Sequence, residues 1–317
     1  MAPPSVPVVH SFPDLGPMVV RARELLPDTE IVVLPDEAAF AAAIGEIEVL
    51  FTFRPPREHW ADAGALRMIQ VPGAGVDSIL PAPELPERVA VCNAIGIHLP
   101  EMAEFVLGMV LSLHLRVPEL VQQQQRHEWA WQLHSPLAGS RAVIIGTGHI
   151  GVGCAEMLRG IGVSVDGVSR SGRPVDGFDR VVSTERRLDV LEDADIVIVL
   201  VPLTPDTVGL VGRDELAAVA EGALLVDVSR GEIVDHDALQ WSLREGPLAR
   251  AALDVFETEP LPAEDPIWDE PGVLVTPHIA ALSKEYFDRI VDVLVDNVHR
   301  LRSGEALRNV VDRELGY

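Results

Sequence analysis

The sequence predicts an α/β protein built from two doubly wound parallel-sheet domains, and three observations carry that reading. The chain has 317 residues, 48% of them apolar, enough for two cores of ordinary size. Short runs rich in valine and isoleucine recur between stretches of helical spacing, the alternation expected when helices cover both faces of a parallel sheet. The runs form two series separated by a long apolar helix, so two sheets are expected.

The first series, "VPVVHSF", "EIVVLP", "VLFTF", "LRMIQVPG" and "VAVCN", occupies the first 93 residues. Next, "HLPEMAEFVLGMVLSLHLRVPEL" reads as a single helix, with Pro100 in its first turn and Pro118 at its end. From Phe105 to Leu115 it is apolar on nearly every face, so it needs enclosure, for which a second subunit is the expected neighbour. It is too short and too acid-flanked to span a bilayer. The polar and aromatic "QQQQRHEWAWQLHSPLAGS" reads as a loop or frayed helix. The second series follows as "RAVIIGTG", "VSVDGVS", "ADIVIVLVP", "ALLVDVSRG", "AALDVF" and "VLVTPHI". The closing "SKEYFDRIVDVLVDNVHRLRSGEAL" has helical spacing and no strand, so it is expected to return to the first domain. Residues 1–97 and 283–317 then form one discontinuous, flavodoxin-like domain, and residues 98–282 a Rossmann-like domain.

A formal charge of -24, from 49 acids against 25 bases, repels phosphate backbones and anionic lipid, which argues against nucleic acid and membrane partners. The two cysteines, Cys92 and Cys154, lie in apolar stretches and read as buried hydrophobes rather than a disulfide or thiolate metal site. "MAPPSVPVVH" lacks the basic and apolar segments of a signal peptide, so a reducing cytoplasm is the expected location. The histidines show no H-x-x-x-H or comparable ligand spacing, and no metal is expected.

"RAVIIGTGHIGVGCAEMLRGIG" places Gly146, Gly148 and Gly151 in G-x-G-x-x-G register, directly after an apolar strand and at the start of a helix. Glycines there let the backbone and a helix N-terminus approach a pyrophosphate, with Thr147, His149 and Ile150 filling the intervening positions. At the end of the next strand, where an acid would meet the ribose hydroxyls of NAD, the chain has Ser169, followed by Arg170, Ser171 and Arg173. Arginines with hydroxyls fit a dianionic phosphate, so NADP is the expected cofactor and NAD the less favoured one. Asp166, the rival acid, falls mid-strand by period-two alternation.

Three later segments, "VDVSRGEIVD", "LDVFETEPLP" and "VTPHIAALS", carry polar residues where strands of the second sheet end. Ligands of open α/β sheets gather at the carboxyl ends of strands, which makes Arg230, Glu259 and His278 candidates to converge on one crevice. With "VPGAGVDSI", "CNAIGIHLPEMAEFVLGMVL", "GTGHIG", "VPLTPDTVGLV", "SRGEIVD", "ALDVFETEPLP" and "TPHIAA" in this order, the chain resembles the D-isomer-specific 2-hydroxyacid dehydrogenases over nearly its whole length. It is most similar to their NADPH-preferring glyoxylate and hydroxypyruvate reductases.

The resemblance implies that Arg230 binds the substrate carboxylate and carbonyl, and that Glu259 pairs with His278. It implies further that backbone N–H groups of Ala74 and Gly75 hold the carboxylate, and that Asp254 lies near the nicotinamide. Val201, Pro202, Thr207, Val228 and Ser229 would line the cofactor, His278 would touch both cofactor and substrate, and the first domain would be the substrate domain.

Reducing a 2-keto acid leaves negative charge growing on oxygen, so a proton donor must stand within hydrogen-bond reach. His278 suits that role, Glu259 orients the ring, and Arg230 neutralises the carboxylate. Phe53 and Arg54 follow a strand of the first domain and are candidates for the substrate's variable end. Trp129 and Trp131 precede the nucleotide loop; some relatives lend a tryptophan to the partner's site, and packing in a homodimer interface of the dinucleotide-binding domain is the plainer reading. One departure is Asp227, where relatives often carry asparagine. The alternatives are an NAD-dependent relative acting on another D-2-hydroxyacid, phosphoglycerate or phosphite, and a non-catalytic nucleotide-sensing protein.

Overall fold

The computed structural model describes residues 8–317. Val6 and Pro7 of the first expected strand, and the segment read for a targeting signal up to Pro7, lie outside the described residues. The chain divides into two compact units, Met1–Ile97 with Ser283–Tyr317, and His98–Leu282.

The first unit opens with β1 (Val9–Phe12), α1 (Pro17–Leu25), β2 (Ile31–Val33), α2 (Glu37–Ala43) and β3 (Val49–Thr52). A short 3₁₀ turn at Arg57–Asp62 leads to β4 (Met68–Gln70), and β5 (Ala90–Cys92) follows. The sheet is parallel throughout, in the order β2-β1-β3-β4-β5, which is the doubly wound flavodoxin-like order. All four residues of β3 are buried, as a central strand covered on both faces requires.

The second unit begins with α3 (Glu101–His114) and α4 (Val117–Gln125). It continues through β6 (Arg141–Ile145), α5 (His149–Gly160), β7 (Ser164–Ser169), β8 (Arg180–Ser183), α6 (Leu188–Leu191) and β9 (Ile196–Val199). Then come α7 (Arg213–Ala218), β10 (Ala223–Asp227), α8 (His236–Glu245), β11 (Leu248–Leu253) and β12 (Val273–Val275). Its parallel sheet runs β12-β11-β10-β9-β6-β7-β8, so the order reverses between β6 and β9. Alternate strand residues feed opposite cores: Val143, Ile145, Val197 and Leu225 face one, and Ala142, Ile144, Ile198 and Val226 the other. Finally α9 (Tyr286–Ser303) packs on α1 of the first unit.

Two expectations are corrected. The apolar helix is two helices, because the chain turns at Arg116, which takes a left-handed φ of 57°, and Pro118 sits in the first turn of α4 instead of ending α3. Proline's fixed φ and missing N–H suit a helix start as well as a stop, so its position alone does not separate the two. The second sheet also has a strand not expected from the sequence, β8, whose four residues "RVVS" are too few to show a period.

Candidate functional site

The glycine loop closes β6 and opens α5, beside the reversal of strand order where open sheets bind their ligands. Gly146 takes a φ of 119°, and a Cβ there would stand 2.9 Å from the Leu200 carbonyl carbon. A Cβ on Gly151 would overlap the Gly146 carbonyl oxygen, so helix and turn close only around glycine. At Gly148, the N-cap of α5, a Cβ would meet nothing within 4 Å, and no side chain caps the helix. A tight turn, an open approach and an uncapped helix N-terminus fit a pyrophosphate. Thr147 and Ile150 are half-buried, and His149 is exposed.

The loop after β9 lies against this turn through Leu200, whose N–H donates to the Ile145 carbonyl at 2.8 Å. Beyond Val201 and Pro202, the Thr207 hydroxyl donates to the Pro202 carbonyl and accepts from Thr204 N–H, both at 2.8 Å. Thr207 therefore staples this loop with its own side chain.

Ser169 is the last residue of β7, and Asp166 lies within that strand, 3.7 Å from Arg141. The Ser169 hydroxyl accepts from Gly172 N–H at 3.1 Å, holding the turn on which Arg170, Ser171 and Arg173 are all exposed.

Arg230, Glu259 and His278 follow the adjacent strands β10, β11 and β12. His278 Nδ1 is 2.8 Å from Glu259 Oε2, while Glu259 Oε1 accepts from Phe256 N–H at 3.1 Å. Arg230 Nη1 donates to the Ser229 carbonyl at 2.7 Å. A Cβ on Gly231 would overlap the backbone of Phe256 and Glu257, so the arginine loop and the glutamate loop touch main chain to main chain. The structure thus gathers at one sheet end three residues far apart in sequence.

His278 has a left-handed φ of 53°, a costly conformation for a residue with a Cβ. Asp254 holds it in place. Its Oδ1 accepts from the Thr276 hydroxyl at 2.7 Å and from Ile279 N–H at 2.9 Å, and its Oδ2 from Ala280 N–H at 2.9 Å. This buried carboxylate clamps both sides of the histidine, a role the sequence reading missed because its partners lie 22 to 26 residues onward and two are backbone groups. Val228 and Ser229 are buried in the turn before Arg230.

In the first unit, the Ser78 hydroxyl donates to the Phe53 carbonyl, and a Cβ on Gly73 would meet the Phe53 ring at 3.7 Å. The loop carrying Ala74 and Gly75 is thereby joined to the strand end carrying Phe53 and the exposed Arg54. Among the described residues, Glu37, Glu58 and His59 have metal-ligand spacing, at the surface of this unit. Burial pushes the thiols of Cys92 and Cys154 up to about 12.

A doubly wound unit with this glycine loop at its switch point defines a dinucleotide-binding α/β protein. Residues 107–280 match the family model for the D-isomer specific 2-hydroxyacid dehydrogenase, NAD binding domain. The chain is 35% identical over 271 residues to the glyoxylate/hydroxypyruvate reductase A of Serratia proteamaculans (strain 568), covering 84% of this chain and 86% of that one. It superposes with a TM-score of 0.88 at 28% identity on the NADPH-dependent glyoxylate/hydroxypyruvate reductase of Sinorhizobium meliloti in complex with NADP and sulfate, covering 99% of this chain and all of that one. A D-isomer specific 2-hydroxyacid dehydrogenase of Xanthobacter autotrophicus Py2 in complex with NADPH and MES gives a TM-score of 0.85 at 29% identity, covering 99% and 100%. The chain belongs to the D-isomer specific 2-hydroxyacid dehydrogenase family, whose members are oxidoreductases acting on a CH–OH carbon.

Proposed function

We propose that the protein reduces small 2-keto acids, glyoxylate and hydroxypyruvate foremost, to D-2-hydroxy acids with NADPH, as a cytoplasmic homodimer. The observation that carries this reading is the 2.8 Å contact between His278 and Glu259 in the unit that bears the glycine loop. The reductase names of the Serratia and Sinorhizobium relatives, and the NADP in the latter, support the substrate and cofactor classes.

The glycine loop and the N-terminus of α5 hold the pyrophosphate, and the turn from Ser169 to Arg173 seats the 2′-phosphate. When bound, the reduced nicotinamide supplies the hydride. Arg230 binds the substrate carboxylate, fixing the carbonyl for attack. His278, with Nδ1 on Glu259, presents Nε2 to the carbonyl oxygen and gives it a proton as negative charge grows there. Glu259 keeps the ring oriented and stabilises the charge it carries. In the reverse direction His278 takes the hydroxyl proton. Asp254 acts through the histidine loop it clamps.

Loss of absorbance at the reduced-nicotinamide band, with NADPH or NADH and a panel of 2-keto acids, tests the reading. Turnover fastest with NADPH and glyoxylate or hydroxypyruvate is expected, and His278→Asn should lower kcat by about 10²- to 10⁴-fold. Cofactor binding without turnover on any member of the panel would identify a nucleotide sensor instead.

A further inference from the structure

Asp227, the last residue of β10, is 2% exposed and lies between Val199 of β9 and Leu253 of β11 in the parallel register. Its Oδ1 accepts both donors of Ser229, the N–H at 3.0 Å and the hydroxyl. The Ser229 carbonyl in turn accepts from Arg230 Nη1 at 2.7 Å. One residue therefore links the buried carboxyl to the guanidinium.

The charged groups acting on Asp227 are Arg230, in the loop beyond it, and Asp254, whose backbone N–H donates to the Asp227 carbonyl at 3.0 Å. Alternation along β10 puts Asp227 on the face of Leu225, which packs with α7 and α8. On that side Glu215 of α7 is paired with Arg187 at 2.8 Å, and the half-buried His236 of α8 meets the Phe256 ring. Asp235 and Asp237, at the start of α8, are exposed.

We propose that Asp227 is a positioning residue for Arg230, and that its charge state sets how strongly the guanidinium binds a substrate carboxylate. The inference rests on the reading of Arg230 as the carboxylate-binding residue. Asp227 lies close enough to both Asp254 and Arg230 to feel their charge. Asp254 receives three donors across its two oxygens, whereas Asp227 receives two, both from Ser229 and both on one oxygen. Asp227 is thus the carboxyl less fully matched by donors. Burial pushes that acid up to about 7, with Asp254 adding to the effect and Ser229 and Arg230 opposing it. Below that pH the neutral acid makes no ionic claim on the guanidinium's charge. Above it the carboxylate competes for that charge, weakening the hold on an anion without touching the His278–Glu259 pair.

Asp227→Asn tests this, because an amide oxygen still accepts from Ser229 and cannot ionise. The KM for glyoxylate is measured from pH 6 to 8.5 in both proteins, so that pH effects common to the two cancel in the ratio. The wild-type to variant ratio should be near one at pH 6 and rise roughly tenfold by pH 8.5, while the kcat profiles stay parallel. Oxamate, an unreactive 2-keto acid analogue, titrated calorimetrically into the NADPH complex should show the same divergence in Kd. Ser229→Ala, which removes the hydroxyl favouring the carboxylate, should move the wild-type rise to higher pH. Turnover with a pH-independent KM ratio would overturn this inference alone. Absence of both turnover and oxamate binding would overturn the proposed function and this inference together.

Discussion

Arg170 and Arg173 are read as a phosphate seat because no acid stands at the end of β7 and the Ser169–Gly172 bond presents both guanidinium groups on an exposed turn. Charge-assisted hydrogen bonds to a phosphate are about twice as strong as neutral ones, so removing one donor bears on NADPH and leaves NADH, which lacks that phosphate, nearly untouched. Arg170→Glu should raise the KM for NADPH at least about tenfold and change that for NADH less than about twofold; equal effects would discard the seat. The turn that carries these residues was legible because it is local, a serine and two arginines within five positions of a strand end. The Asp254 clamp was not, since it depends on how β11 and the loop after β12 meet. Likewise Gly231 explains its place beside Arg230 only once the Phe256 backbone is seen against it.

At the scale of elements, sequence periodicity carried most of the fold and failed where an element is short or a proline has two uses. β8 has four residues and gains its identity from pairing with β7, and Pro118 begins α4 after a left-handed Arg116 that the sequence does not advertise. That the closing segment is a helix was legible; its means of attachment was not. Asn297, buried in α9, donates to Gln70 Oε1 at 2.8 Å and to the Arg308 carbonyl at 3.1 Å, and accepts from Arg308 N–H at 2.7 Å. Gln70 in turn bonds the Val71 carbonyl at 3.2 Å, tying helix, sheet and C-terminal segment through one amide network. Asn297→Leu leaves those buried groups unpaired, each at about 1–3 kcal/mol. It should lower the denaturant midpoint of the first unit by more than a substitution on the exposed face of α9, such as Asp288→Ala, and equal midpoints would refute the network's role.

Over the whole molecule, the net charge of -24 and the apolar surface of the second unit pull in opposite directions. No helix among the described residues is long and apolar enough to cross a membrane. Leu120 and Val121 of α4 are exposed, and in the following segment Trp129, Trp131 and Leu133 are 93%, 86% and 92% exposed. Side chains of this size, grouped on one helix and the segment after it, mark an association surface. In the proposed homodimer a second copy of the chain would cover this patch, since a two-fold interface is self-complementary. Two such copies carry like charge, and repulsion between them is screened by salt while apolar burial is not. Sedimentation equilibrium should therefore give twice the chain mass, with the dimer dissociating at low ionic strength and tightening by roughly tenfold between about 10 and 150 mM salt, as the screening length shortens from about 30 to 8 Å. Val121→Glu with Leu120→Lys should yield monomer in both conditions while leaving thermal unfolding of the units in place. A wild-type protein sedimenting as monomer at every salt concentration would remove the dimer, and with it the account of why two tryptophans stand in solvent.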